Sequence, residues 1–195
     1  AGHFQDGVPV GRGLSGKTIG IIGLGRLGTM MARFAHALNM SVLAWSQNLT
    51  EDRAREAGAS LVAKDDLLAR SDAVTLHLVL SDRTRGIIGR AELARMKQGA
   101  VLVNTSRGPL IDEAALIEAL RAGRISAALD VYDREPLPPD HPLRTAPNTV
   151  LTPHLGYCVE EAWAHFYPDS LENALAFLDG KPVRVMNPDV LSQRA

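Results

Sequence analysis

The apolar positions of this chain fall into short blocks whose period changes in a regular order. From Thr18 to Gly23 the run TIGIIG is short, apolar and β-branched, which predicts a strand buried on both faces. Leu27, Met30, Met31, Phe34, Ala35 and Leu38 then recur at helical spacing and give one apolar stripe. A second apolar block, Ser41 to Trp45, follows at once. Strand, helix and strand so close together predict a βαβ unit with parallel strands.

The alternation continues. Thr50 with Glu51 and Asp52 caps a short helix, SLVA from Ser60 is a short strand, and AVTLHLVL from Ala73 is another buried one. Helix AELARMK, strand AVLVN, helix IDEAALIEALRAG, strand ISAALDVY and strand TVLT complete the series. Asp112 is the expected N-cap of the second of these helices, and Gly123 the residue just past its end. The pattern predicts a Rossmann-type, doubly wound α/β fold: an open parallel sheet with helices on both faces. Five prolines between Pro136 and Pro147 exclude a central strand or helix interior and predict a rigid loop. Beyond His154, Trp163, Tyr167, Leu171, Ala174, Leu175 and Leu178 predict a C-terminal helical extension, in which Pro168 forces a kink or a division into two helices.

At 195 residues the chain suits one domain with an appendage better than two complete domains. The expected division is a lead-in over 1–13, a dinucleotide-binding domain over 14–155, and a helix and tail over 156–195. The opening Ala1 fits a processed product or a piece of something longer.

That domain assignment rests on Gly23-Leu24-Gly25-Arg26-Leu27-Gly28, a G-x-G-x-x-G run at a strand-to-helix junction. Such runs are weak signals alone, since glycines are common in any such turn. In this context Gly23 permits the turn, Gly25 lets the backbone approach a pyrophosphate and Gly28 lets helix and strand pack closely. An acidic residue about 20 positions further on would bind the adenine ribose. Ser46, Gln47 and Asn48 stand there instead, so nothing repels a 2′-phosphate, and NADP is favoured over NAD as cofactor. Arg53 and Arg55, several residues on, read as solvated surface charges.

Composition narrows the partners. A formal net charge of -1 gives no basic field for nucleic acid or an anionic membrane, so any anion must be held locally. The single cysteine, Cys158, excludes an internal disulfide framework and a cysteine zinc cluster, and fits a reducing, cytoplasmic setting. No metal site and no membrane span are expected.

Three polar residues follow strands, where ligands of such sheets bind. Arg107 could hold a carboxylate bidentately and polarise an adjacent carbonyl. His154, after the last strand, has the side chain suited to exchanging a proton with an alkoxide. Glu135 could stabilise the imidazolium. Taken singly, the arginine fits a surface ion pair, and the histidine and glutamate fit solvated loop residues. His3, His36, His77, His141 and His165 read as structural or exposed.

The runs GLGRLG, VNTSRGPLIDEAAL, ALDVYDREPLP and LTPHLGY resemble successive signatures of the D-isomer-specific 2-hydroxyacid dehydrogenases, over about Leu14 to Leu191. The resemblance implies an NAD(P)-dependent oxidoreductase that interconverts 2-oxo and D-2-hydroxy acids. It places the catalytic set on Arg107, Glu135 and His154, and the nicotinamide carboxamide on Asp130. It implies that Thr105 and the backbone around Leu78 and Val79 line the cofactor cleft, and that the domain forms a homodimer. It also implies a substrate-binding part, formed mostly by preceding residues, which this chain lacks. The alternatives are a non-catalytic dinucleotide-sensing module of the same fold, or a truncated chain that survives only as a self-associating unit.

Overall fold

The computed structural model describes residues 11–193; most of the expected lead-in, with His3, lies outside the described residues. The elements are β1 (Thr18–Ile22), α1 (Arg26–Ala37), β2 (Ser41–Trp45), α2 (Glu51–Glu56), β3 (Ser60–Leu61), α3 (Lys64–Arg70) and β4 (Ala73–Leu76). They continue with α4 (Arg90–Arg95), β5 (Val101–Asn104), α5 (Glu113–Arg121), β6 (Ser126–Leu129), β7 (Thr149–Leu151) and α6 (Glu160–Leu178). All seven strands form one parallel sheet in the order β3-β2-β1-β4-β5-β6-β7. This is the doubly wound arrangement that the alternating pattern predicts.

Two apolar layers cover the sheet. Ala32 and Ala35 of α1 and Ala54 of α2 pack with Ile19, Ile21, Val42 and Ala44 on one face. Leu67 and Leu68 of α3, Leu93 of α4, and Leu116 and Leu120 of α5 pack with Ile22, Val74, Leu76 and Leu102 on the other. Local signals fix the helix ends. The Thr50 hydroxyl accepts from the Arg53 N–H, and the Asp112 carboxylate from the Ala115 N–H at 3.0 Å. Gly123 turns the chain with φ of 63° just past α5.

Four details depart from the sequence pattern. The large apolar residues of α1 face outward: Leu27, Met30, Phe34 and Leu38 are exposed, and the small Gly28, Ala32 and Ala35 face the sheet. Small residues let the helix axis approach the strands closely, which large ones would prevent. The strand starting at Ala73 ends at Leu76, and Val79 beyond it is 84% exposed. The strand starting at Ser126 likewise ends at Leu129. Helix α3 carries no side-chain cap at Ala63, so only Asp65 and Asp66 in its first turn mark its start.

The chain divides into two compact units, the first ending at His154 and the second starting at Leu155. In the second, α6 is one helix with Pro168 inside it, which excludes the two-helix alternative. None of its residues is buried, and Tyr157, Trp163, Phe166 and Tyr167 cluster with ring centroids 5.4–6.4 Å apart. Arg184 folds the following segment back, donating to Asn173 at 3.0 Å and to Glu172 at 2.6 Å.

Candidate functional site

The chain runs outward from β1 to β2 and β3, then crosses back to β4 on the other side of β1. Ligands of open α/β sheets lodge at such a reversal, past the C-terminal ends of the strands. Gly23 turns there with φ of 103°, and a Cβ on it would lie 2.6 Å from the His77 carbonyl oxygen. A Cβ on Gly28 would lie 2.1 Å from the Gly23 oxygen. Both glycines are demanded by the protein's own packing.

Gly25 differs. Its backbone is extended, at φ of −84° and ψ of −158°, and no atom lies within 4 Å of where its Cβ would be. Nothing in the folded chain requires glycine at this position, whereas a ligand pressed against the backbone would. The first turn of α1 has no acidic residue and no side-chain cap, which leaves its N–H groups for an anion. A dinucleotide pyrophosphate fits this cradle.

The cleft above it, about 430 Å³, is lined by Gly23, Gly25, Ser46, Gln47, Leu78 and Val79. The Ser46 hydroxyl accepts from the Leu24 N–H at 3.4 Å, which ties the end of β2 to the fingerprint. Arg53 and Arg83 also line it. The sequence pattern left Arg53 on the surface and singled out nothing at Arg83. Half-buried His77 is a further wall residue, with Nε2 3.0 Å from the Thr75 hydroxyl, and burial pushes its pKa below the usual value. Arg26, Leu27, Gly28, Thr105 and Asp130 do not line this cleft.

Past β5, β6 and β7 the site is built from side chains. The Glu135 Oε2 lies 2.6 Å from His154 Nδ1, and its Oε1 accepts from the Tyr132 N–H at 2.9 Å. A carboxylate can only accept, so Nδ1 carries the proton of that bond and Nε2 is the ring atom left to exchange one. His154 holds φ of 57°, a left-handed conformation uncommon outside glycine. Strain of this kind, roughly 1–3 kcal/mol, gathers at functional sites. The pair is about a third exposed, at 38% and 35% for the two side chains, so a small molecule can reach it.

Burial raises the Glu135 pKa. The bonds from His154 and the Tyr132 N–H, with the charges of His154 and Arg107, outweigh burial and hold the carboxyl below its ordinary value. Arg107 is thus near enough to act electrostatically on the pair. Its loop is held by the buried Asn104, whose amide donates to the Arg107 carbonyl at 2.8 Å and accepts from the Ser106 N–H at 3.0 Å. A Cβ on Gly108 would lie 2.0 Å from the Tyr132 carbonyl carbon, so glycine lets this loop lie against the backbone leading to Glu135. Asp130 is buried and accepts from the Thr152 hydroxyl at 2.5 Å. The sequence pattern did not single out Asn104, Gly108 or Thr152. A polar residue closing an apolar strand and a glycine directly after a candidate arginine were the signals available. A second cleft, about 660 Å³, opens against the Glu135–His154 pair, with Leu137, Arg144 and Leu151 among its walls. Among the described residues no group of histidine, cysteine or acidic side chains is arranged to hold a metal, and no helix is long and apolar enough to cross a membrane.

A cradle of this kind beside a histidine–carboxylate pair defines the dinucleotide domain of a dehydrogenase. Residues 1–156 match the family described as D-isomer specific 2-hydroxyacid dehydrogenase, NAD binding domain, and the chain belongs to that family. It is similar to a glyoxylate reductase of Aeropyrum pernix, 42% identical over 93% of this chain and 55% of that protein. It is also similar to a D-3-phosphoglycerate dehydrogenase of Archaeoglobus fulgidus, 44% identical over 88% of this chain and 33% of that one. Among solved structures, a phosphoglycerate oxidoreductase of Vibrio cholerae superposes with a TM-score of 0.84 at 38% identity, over 90% of this chain and 56% of that one. The chain therefore spans about half or less of the length of these relatives.

Proposed function

We propose that the chain carries the cofactor-binding and proton-transferring half of a reductase that interconverts 2-oxo acids and D-2-hydroxy acids. The observation that carries this reading is the Glu135–His154 pair, 2.6 Å apart and within the field of Arg107, on the same strand-end edge as the glycine cradle. A bound nicotinamide would supply or accept the hydride at the 2-carbon. Arg107 binds the substrate carboxylate and polarises the adjacent carbonyl. His154 Nε2 gives its proton to the carbonyl oxygen as the alcohol forms, and takes it back in the reverse direction. Ionised Glu135 holds the ring orientation and balances the imidazolium charge. Asp130 and Thr105 hold the nicotinamide end. NADP is the preferred cofactor, supported by Ser46, Gln47 and Asn48 standing where an acidic residue would select NAD.

The test is glyoxylate and hydroxypyruvate reduction followed by nicotinamide absorbance, with the chirality of the product determined. Formation of D-glycerate from hydroxypyruvate supports the reading, glycolate from glyoxylate being achiral. Saturable nucleotide binding without turnover of any 2-oxo acid, also when a substrate-binding part precedes this chain, would contradict it and favour a sensing module. We further infer a homodimer, supported by the exposed stripe of Leu27, Met30, Phe34 and Leu38 on α1. Sedimentation showing only monomer at micromolar concentration would contradict it. The lone Cys158, a free thiol, supports a cytoplasmic location.

A further inference from the structure

The proton-transferring pair of the proposed reading, on which this inference rests, needs a carboxylate held still, yet Glu135 opens a segment that cannot fasten itself. Three of the four residues after it are prolines, which have no N–H to tie down their backbone. We propose that Arg144 is a positioning residue: its guanidinium clamps the backbone just after Glu135 and so keeps the carboxylate on His154. Its Nη2 donates to the Leu137 carbonyl at 2.6 Å and its Nε to the Pro138 carbonyl at 2.7 Å. These two carbonyls are consecutive, and the planar fork of arginine meets both at once.

The clamp is itself anchored. Arg144 lies in a 3₁₀ turn, Pro142–Thr145, whose Leu143 is buried in the core. His141 fixes the start of that turn. Its Nδ1 accepts from the Leu143 N–H at 3.3 Å, which leaves Nε2 to donate to Glu113 of α5 at 3.0 Å. A line of contacts thus runs from α5 through the turn to the stretch behind Glu135, and ends on His154 Nδ1. Arg55, Arg90, Arg95 and Arg184 are spent on carboxylates. Arg144 enters no ion pair among the described residues, and backbone carbonyls take up its fork instead. It also lines the cleft that opens against the Glu135–His154 pair, so a side chain of similar length fits in its place.

Displacing Glu135 breaks its bonds to the His154 ring and the Tyr132 N–H. These bonds, with the charges of His154 and Arg107, hold its carboxyl below the ordinary range. The Glu135 titration therefore reports its position without any need for turnover. It is followed in the whole chain by NMR of the isotope-labelled side-chain carboxyl, assigned with Glu135→Gln, from neutral pH into acid. In Arg144→Met, which keeps the length and removes the donors, the titration should move up toward the ordinary glutamate value, about 4.3, while thermal unfolding stays cooperative. Arg144→Lys, with donors but no fork, should move it less. Arg134→Met, which removes an equal but exposed charge beside Glu135, should leave it in place. A folded Arg144→Met variant with an unshifted Glu135 titration overturns the clamp and leaves the pair standing. So does an equal shift in Arg134→Met, which would assign the effect to charge alone. Should Arg144→Met fail to fold, Arg144→Lys is read in its place by the same criterion. The pair itself is tested by His154→Ala, in which the Glu135 titration should also rise. No rise there refutes the pair, and the proposed proton transfer falls together with the clamp.

Discussion

The two halves of the sheet solve different problems. In the half built on β1 and β4, consecutive residues are buried on both faces, and the ligand cradle beyond them is made of backbone. In the half built on β5 and β6, burial alternates, with Leu102, Asn104, Ala127 and Leu129 inside and Val101, Val103, Ser126 and Ala128 only half covered. The polar groups proposed to bear the chemistry belong to this second half, and hydrogen bonds from Asn104, Tyr132 and Thr152 place them. A backbone cradle needs rigidity and small residues. A proton-transferring pair needs specific side chains held from several loops, and this half supplies them with less apolar cover.

If the halves divide the work this way, His154→Ala separates them most widely. We expect 2-oxo acid reduction to fall by about 10²–10⁴-fold, with nucleotide affinity changed by less than about twofold. A parallel loss of nucleotide binding would erase the division. Gly28→Ala should do the reverse. Its methyl group meets the Gly23 carbonyl, so thermal unfolding should show a loss of roughly 1–3 kcal/mol, with weakened nucleotide binding.

The acid side of the stability curve probes the Glu135–His154 pair. The folded Glu135 carboxyl ionises more readily than an ordinary glutamate. Its contribution is therefore complete above the ordinary value, about 4.3, and is lost as pH falls through the lowered folded value. Urea unfolding of the protein and of Glu135→Gln between pH 7 and pH 3 should show a gap that closes in acid. A gap independent of pH would mean that the carboxyl is not ionised by virtue of the pair. The smallest effect belongs to the edge: Val150, at 66% exposed, should tolerate Val150→Thr within about 0.5 kcal/mol. Val74→Thr, at a fully buried position of β4, should cost clearly more, on the order of 1–3 kcal/mol.

The same contrast governs what could be read from the sequence. Runs such as TIGIIG are legible because burial on both faces leaves no polar interruption, and α5 is legible because Asp112 and Gly123 mark its ends. The outward face of α1 is not, since helical spacing marks the large side chains as one apolar stripe, while close helix packing buries Gly28, Ala32 and Ala35. Arg107, Glu135 and His154 could be named from their places after strands. Their support could not, because Asn104 acting on the Arg107 loop and Gly108 lying against Tyr132 depend on which strands become neighbours. Arg83 escaped notice for the same reason: only the position of β4 beside β1 brings its loop to the cleft.

Gly25 offers the most direct test that the first half exists to hold a dinucleotide. Since nothing lies within 4 Å of its missing Cβ and its backbone angles suit any residue, Gly25→Ala should fold to within about 1 kcal/mol of the unaltered chain, the difference being that of the poorer N-cap. The measurement is calorimetric titration of both proteins with NADPH and NADH, alongside their melting curves. Saturable binding by the unaltered chain, with binding by a stably folded Gly25→Ala variant weakened about tenfold or more, is the predicted result. Equal binding by both would show that no pyrophosphate rests on Gly25, and the cradle would have to be given up.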